Sequence, residues 1–283
     1  MTSHRTAGKV DDPSVLRSPE WPHPDERTGV RFVLTNVTDP SHANDYSAWY
    51  DEYESAIIRP GVIANAFRFE NPDAVGSETD PRYAAIYDIV TPDPASAWPA
   101  TENSPDYPTQ LFADPRSGLV APVLRGSYAM TGSMETDNDH RALTGVHIIL
   151  SDGGNDAVRE QRAAAVLDTG FFHAASRFQI IEGTPEPPAW LEVFETGLHD
   201  AVNAYARACD GLALRPRAAG VRQRSSRSFA LVAVHEAGQS PSRLVCENNF
   251  ARTARRSSYL SHRRGRDANP RSTEPPVPVS GPA

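Results

Sequence analysis

Lysine is all but missing from this chain. Lys9 stands alone beside 27 arginines, a bias that fits a GC-rich genome better than a function. Cysteine is nearly as scarce: Cys209 and Cys246 have no CxxC spacing and no neighbouring ligand cluster, which excludes a disulfide framework and a zinc site. They read as two reduced thiols. No apolar run approaches the ~20 residues that a membrane helix needs, and residues 1–27 contain no apolar signal segment. A cytoplasmic protein with no membrane partner is expected. The histidines are scattered without an HExxH pattern, and Gly153 and Gly154 form a turn rather than a phosphate loop, so neither cofactor nor metal is expected. A net charge of -8 argues against a nucleic-acid partner. Residues 240–283 nevertheless hold eight arginines against Glu247, Asp267 and Glu274.

What the chain does contain is an internal repeat. Residues 28–36 (TGVRFVLTN) match residues 144–152 (TGVHIILSD) almost position for position. Both are β-branched runs that end in turn formers, so both are strands. A helix follows each. In the first, Tyr46, Trp49, Tyr50, Tyr53 and Ile57 make one apolar stripe behind a start at Asp39, Pro40 and Ser41. In the second, an alanine-rich helix over 157–167 is stopped by Gly170. Residues 61–69 then align with 170–178, sharing Gly, Ala, Arg and Phe, and a third strand over 83–88 matches 190–195. A second helix is clear over 198–209. Its counterpart falls in the proline-rich stretch 92–122, which predicts only short helical turns. Fourth strands are expected over 123–131 and 228–236.

The order βαββαβ thus occurs twice. The fold class expected is α+β, with two tandem ferredoxin-like units closing an intrachain α+β barrel. The units span 28–136 and 144–238, between a disordered leader over 1–27 and a disordered basic tail over 239–283.

The helix bearing Trp49, Tyr50, Asp51, Glu52 and Tyr53, followed by Pro60, Gly61 and Val62 and a strand ending at Arg68 and Phe69, resembles the dimeric α+β barrel superfamily, and its EthD-like members in particular. The resemblance covers residues 28–136 well and 144–236 more weakly. It implies two sheets packed face to face, here within one chain or across a homodimer. Its chemistry is open, because the superfamily hosts cofactor-free oxygenases, haem enzymes, cyclases and lyases. Glu54 stands where many relatives carry a pocket-facing histidine.

Strand alternation divides the two faces. The more apolar set, Phe32 and Leu34 with Ile148 and Leu150, is assigned to the helices. Arg31, Val33 and Thr35, with His147, Ile149 and Ser151, are assigned to the lumen. Tyr83 and Tyr87, with Trp190, Glu192 and Phe194, join them there. His147 and Glu192, on neighbouring strands, form a candidate general-base pair in which the carboxylate fixes the imidazole tautomer. A structural hydrogen-bonded pair is the alternative. Arg68 and Arg177 occupy equivalent places and are candidate binders of a substrate carboxylate or enolate. An ion pair with Asp88 or Glu195 is their alternative. Tyr87 and His173 complete the substrate-binding set. Glu54 is an acid/base candidate if buried, and Arg215, Arg217, Arg222, Arg224 and Arg227 read as a solvated loop. The function expected is a small-molecule enzyme or binder of secondary or catabolic metabolism, using cofactor-free acid–base chemistry on an aromatic or polyketide-like substrate. The rival is a non-catalytic barrel whose lumen is packed solid.

Overall fold

A computed structural model describes residues 27–136, 143–198, 200–212 and 221–236. The expected tail, and the expected leader up to residue 26, lie outside these. Eight strands run β1 (Gly29–Val37), β2 (Ile63–Glu70), β3 (Tyr83–Ile89), β4 (Val120–Glu135), β5 (Gly145–Gly153), β6 (Ala174–Thr184), β7 (Trp190–Thr196) and β8 (Val221–Glu236). Four helices interleave with them: α1 (Ala43–Ile57), α2 (Pro94–Glu102), α3 (Asp156–Asp168) and α4 (Ala201–Leu212). The strands close into one antiparallel barrel in the order β1-β3-β2-β8-β5-β7-β6-β4. Each half contributes its four strands as fourth, first, third, second. The halves join where β2 pairs with β8 and β4 with β6, so no strand edge is left open.

Local sequence explains the elements. Asp39 accepts from the Ser41 amide and caps a 3-10 turn over Pro40–His42, from which α1 continues. Pro60 cannot prolong that helix, and Gly61, at φ 82°, takes the left-handed turn that leads into β2. Asn155 caps α3 through the Val158 amide, and Gly170, at φ 71°, ends its exit turn. The proline-rich stretch exceeds expectation: α2 is nine residues long, capped by Asp93 and opened by Pro94, with Pro99 inside it. Proline at the first helical position lacks only an N–H that would have had no partner. Two further 3-10 turns, Thr109–Phe112 and Pro115–Leu119, follow.

The repeated Thr-Gly-Val has a mechanical explanation. Thr28 Oγ1 donates to the carbonyls of Ile89 and Thr91, at 3.1 and 2.5 Å. Thr144 Oγ1 donates to those of Thr196 and Leu198, at 3.0 and 2.6 Å. Each threonine thereby ties the start of its half to the chain leaving the third strand. The glycine behind it has no room for a side chain. A Cβ on Gly29 would lie 2.5 Å from the Tyr128 carbonyl, and one on Gly145 would lie 2.4 Å from that of Phe229.

The two faces of the sheet are exchanged relative to the sequence-based assignment. Phe32, Leu34, Phe67, Ile148, Leu150 and Phe178 belong to a buried cluster that draws on all eight strands and on no helix, and this cluster fills the barrel interior. Val33, Ala85 and Tyr87 instead pack against α1 and α2, and Ile149 and Phe194 pack against α3 and α4. The physical reason is closure. Side chains from every direction meet inside an eight-stranded barrel and leave no room for a partner layer, so the more apolar set goes there. The helix layer can supply hydrogen-bonding partners and accepts the mixed set.

One end of the interior is polar. Asp88 and Glu195, at matching positions of β3 and β7, point inward, and Arg27 lies between them. Its guanidinium is 3.3 Å from Asp88 and 3.2 Å from Glu195, and it donates to Ser176 Oγ at 2.7 Å. Asn65 Nδ2 adds a bond to Asp88 at 3.3 Å. Arg27 was assigned to the leader, yet it is buried, because two inward carboxylates at one barrel end require a cation.

Candidate functional site

With the interior filled, open space lies under the helices. The larger cavity, about 410 Å³, sits between α1, the segment 98–122 and the outer face of β1, β3 and β4. Its walls are aromatic. Trp49 and Tyr53 of α1 stack at 5.2 Å, with an interplanar angle of 6°. Trp98 of α2, Tyr107 and Phe112 of the turn Thr109–Phe112 complete the lining, with the Phe112 ring edge-on to Trp49 at 6.2 Å and to Tyr53 at 5.8 Å. The Trp49 indole donates to the Leu111 carbonyl at 2.9 Å, which fastens that turn to α1. Trp98 donates to Glu102 Oε1 at 2.8 Å.

Tyr50, Tyr53 and Tyr87 bring phenols to this cavity, and the Tyr87 hydroxyl is buried without a hydrogen-bond partner. Burial pushes Tyr50 up to about 12, and the nearby Glu54 carboxylate pushes the same way. Burial also holds Tyr53 and Tyr87 well above the ordinary phenol value. All three therefore stay protonated near neutrality and act as donors rather than bases. Glu54, fully buried, stands behind Tyr50 at 3.8 Å from Arg68.

A second, more open cavity of about 320 Å³ lies over the second half, lined by His147, Tyr205, Ser226, Ser228 and residues around them. His147 Nδ1 and Nε2 are 2.7 Å from Ser228 Oγ and Ser226 Oγ. The Tyr205 ring stacks on the imidazole at 3.5 Å. Burial, aided by the Arg162 charge, drives the His147 pKa well below 6.5, so the ring is neutral. Both imidazole nitrogens are thus engaged by serine hydroxyls.

The expected pairing of His147 with Glu192 is not made. The two residues share a face, but it is the outer one, and each has other partners. Glu192 Oε1 is 2.7 Å from Arg162 and 3.9 Å from Arg159. Burial still raises its pKa to about 7 against the pull of these arginines. Arg68 and Arg177 also lie on the outer face, not in the lumen. They do have equivalent jobs: Arg68 pairs with Asp51 of α1 at 2.6 Å, and Arg177 with Asp156 of α3 at 3.1 Å. Each ties the second strand of its half to the preceding helix, and neither meets Asp88 or Glu195. His173 precedes β6, where its amide donates to the Glu195 carbonyl, and it lines neither cavity. Of the six residues singled out, Tyr87 lines the aromatic cavity and His147 the smaller one. Arg224 and Arg227, assigned to a loop, lie on β8 and pair with Asp152 and Asp80. Arg215 and Arg217 fall outside the described residues.

Sequence reasoning missed Arg31, Trp98, Glu102 and Tyr107 as site residues. The available signal was the cluster Trp98, Tyr107 and Phe112 in a polar, proline-rich stretch, where exposed rings would have no reason to accumulate. Among the described residues no group of three or more His, Cys, Asp or Glu could hold a metal, and no helix is long and apolar enough to cross a membrane.

No sequence family and no curated protein matches the chain. Similar solved structures include an anthrone oxidase-like protein, 10% identical, with TM-score 0.46 over 78% of this chain and 98% of that one. A variant of the chlorite dismutase from Candidatus Nitrospira defluvii is 6% identical, with TM-score 0.49 over 73% and 92%. Proteins of these kinds belong to the dimeric α+β barrel superfamily. At such identities and superpositions the likeness supplies no argument about chemistry.

Proposed function

We propose that this protein is a small-molecule enzyme or binder whose site is the aromatic cavity under α1 and α2, and that each half is a ferredoxin-like unit of a tandem pair with EthD-like kinship. The observation that carries the functional reading is the contrast between a filled barrel interior and a cavity of about 410 Å³ walled by stacked rings. That volume lies in the ligand-site range of ~300–1,000 Å³. Flat walls suit a planar substrate, such as an aromatic or polyketide-like compound. Phenols held protonated at Tyr50 and Tyr87 would donate to a carbonyl or phenolate oxygen that the substrate already carries. The residues present can act in this way without a cofactor.

The filled interior favours a second reading, a non-catalytic barrel serving assembly or regulation. One experiment separates them. Small molecules retained by the purified protein are identified by mass spectrometry, and aromatic compounds are titrated while tryptophan emission is followed. The site reading expects a ligand that quenches Trp49 and Trp98. It also expects Tyr87→Phe, which keeps the ring, to weaken binding or turnover about tenfold. A protein that retains nothing, with emission indifferent to every aromatic compound tried, supports the non-catalytic reading instead.

A further inference from the structure

The aromatic cavity carries an excess of one charge. Arg31 and Arg125 both line it, and among the lining residues Glu102 is the one acid. Its Oε1 accepts from the Trp98 indole, which leaves its charge in place, so the lining carries two cations against one anion. Arg31 is poorly compensated. Its Nη1 donates to Ser127 Oγ at 2.9 Å and lies 3.5 Å from Glu182, a carboxylate about half exposed to solvent. Its Nε is buried and has no partner. The guanidinium centre lies 4.7 Å from the centre of the Trp98 ring, which holds its plane beside an aromatic wall.

We infer that the cavity takes an aromatic anion, a planar ring system bearing a carboxylate or phenolate, and that Arg31 is the residue selecting for the charge. This rests on reading the cavity as a ligand site. An unpartnered N–H on a buried guanidinium has lost its water without gaining an acceptor. An anionic oxygen restores that acceptor and adds a charge-assisted bond, for which the planar fork of arginine suits a carboxylate. Burial lowers the pKa of Arg31 even though the Glu182 and Glu102 carboxylates pull the other way, so their charge does not make up for the lost water. An uncharged ring of the same size would fill the slot between Trp49, Tyr53 and Trp98 but leave the guanidinium as it is. The phenols of Tyr50 and Tyr87 cannot supply the missing charge, because they stay protonated.

The test uses the full chain and two probes of one shape. 2-Naphthoate and the uncharged 2-naphthylmethanol are titrated near neutral pH while tryptophan emission is followed, at low and at high salt. We expect the carboxylate to bind about tenfold or more tightly than the alcohol, with a preference that shrinks as salt rises. Arg31→Met should bring the acid down to the level of the alcohol and leave the alcohol unchanged. Arg125→Gln, at an exposed strand position, should reduce the preference by a smaller factor, and it decides the matter with the salt series if Arg31→Met does not fold. Replacing the acid probe with a nitrated naphthol, ionised at this pH, distinguishes a phenolate preference from a carboxylate one. Equal binding of acid and alcohol by the wild type, or a preference surviving Arg31→Met, overturns the charge assignment while leaving the cavity a ligand site. Binding of neither probe overturns both.

Discussion

At the scale of single residues, burial decides the chemistry more than residue type does. His147 has the side chain of a general base, yet its ring is sandwiched under Tyr205 between two serine hydroxyls and stays neutral. In the unfolded chain the same ring titrates near pH ~6.5. Its contribution to stability is therefore fully present above about 6.5 and is lost as pH falls toward the depressed folded value, at about 1.4 kcal/mol per pH unit. Glu192 and Glu195, both raised to about 7, run the opposite way. Their contribution is fully present below ~4.5 and is lost as pH rises through about 7. Only a comparison isolates the histidine. Between about pH 7.5 and 5.5, wild type should lose about 1.4 kcal/mol more than His147→Gln, measured by urea unfolding. Identical pH slopes for the two proteins would show that His147 protonates freely in the fold. The sequence made His147 and Tyr87 visible as unusual residues on strands. It could not show which cavity each would line, since that depends on which face the helices cover.

At the scale of elements, the repeat and the helical stripes were legible because they rest on local periodicity. Strand pairing followed from them, and β1 does lie beside β3, and β5 beside β7. The faces were read the wrong way round because the mixed set, Arg31, Val33 and Thr35 with His147, Ile149 and Ser151, suits a polar lumen as well as a face covered by helices. Alternation separates two sets without saying which goes inside. The length of α2 was missed because proline was counted against it, although Pro94 occupies the position where it does least harm. Arg68 shows how a strand and a helix are joined in the resulting layer. It meets two carboxylates, Asp51, nearly half exposed, and Glu54, fully buried. Arg68→Met should cost about 3–5 kcal/mol because it removes the cation that faces the buried Glu54 carboxylate. Asp51→Asn should cost no more than about 1 kcal/mol, its partner being screened by water. Chemical denaturation of the two variants measures both, and equal losses would mean that Glu54 takes no part.

At the scale of the whole molecule, the α+β barrel was expected from the doubled βαββαβ order, and the closed barrel agrees. What no local pattern announced is the Arg27 plug, since Arg27 follows a polar, aperiodic stretch and its partners lie 61 and 168 residues away. The plug joins the halves through charge: Asp88 belongs to one and Glu195 to the other. Burial raises both acids, Glu195 to about 7, even with Arg27 between them. Arg27→Met leaves the two carboxylates facing each other in the interior. Near neutrality the loss should reach about 3–5 kcal/mol. It should shrink as pH falls from neutrality toward about 5, through the Glu195 value of about 7, because protonation removes the charges that the arginine had balanced. Urea midpoints at both pH values check this, and a pH-independent loss would mean that Arg27 acts through packing alone.

Closure within one chain also changes what a mutation can do. In a barrel built from two identical chains every substitution arrives in duplicate, and a change that helps one half is imposed on the other. Here each position occurs once. Arg31 and His147 occupy corresponding places in the repeat, yet one borders an aromatic slot and the other sits beneath Tyr205. Asymmetry of that kind is open to a fused barrel and closed to a symmetric one.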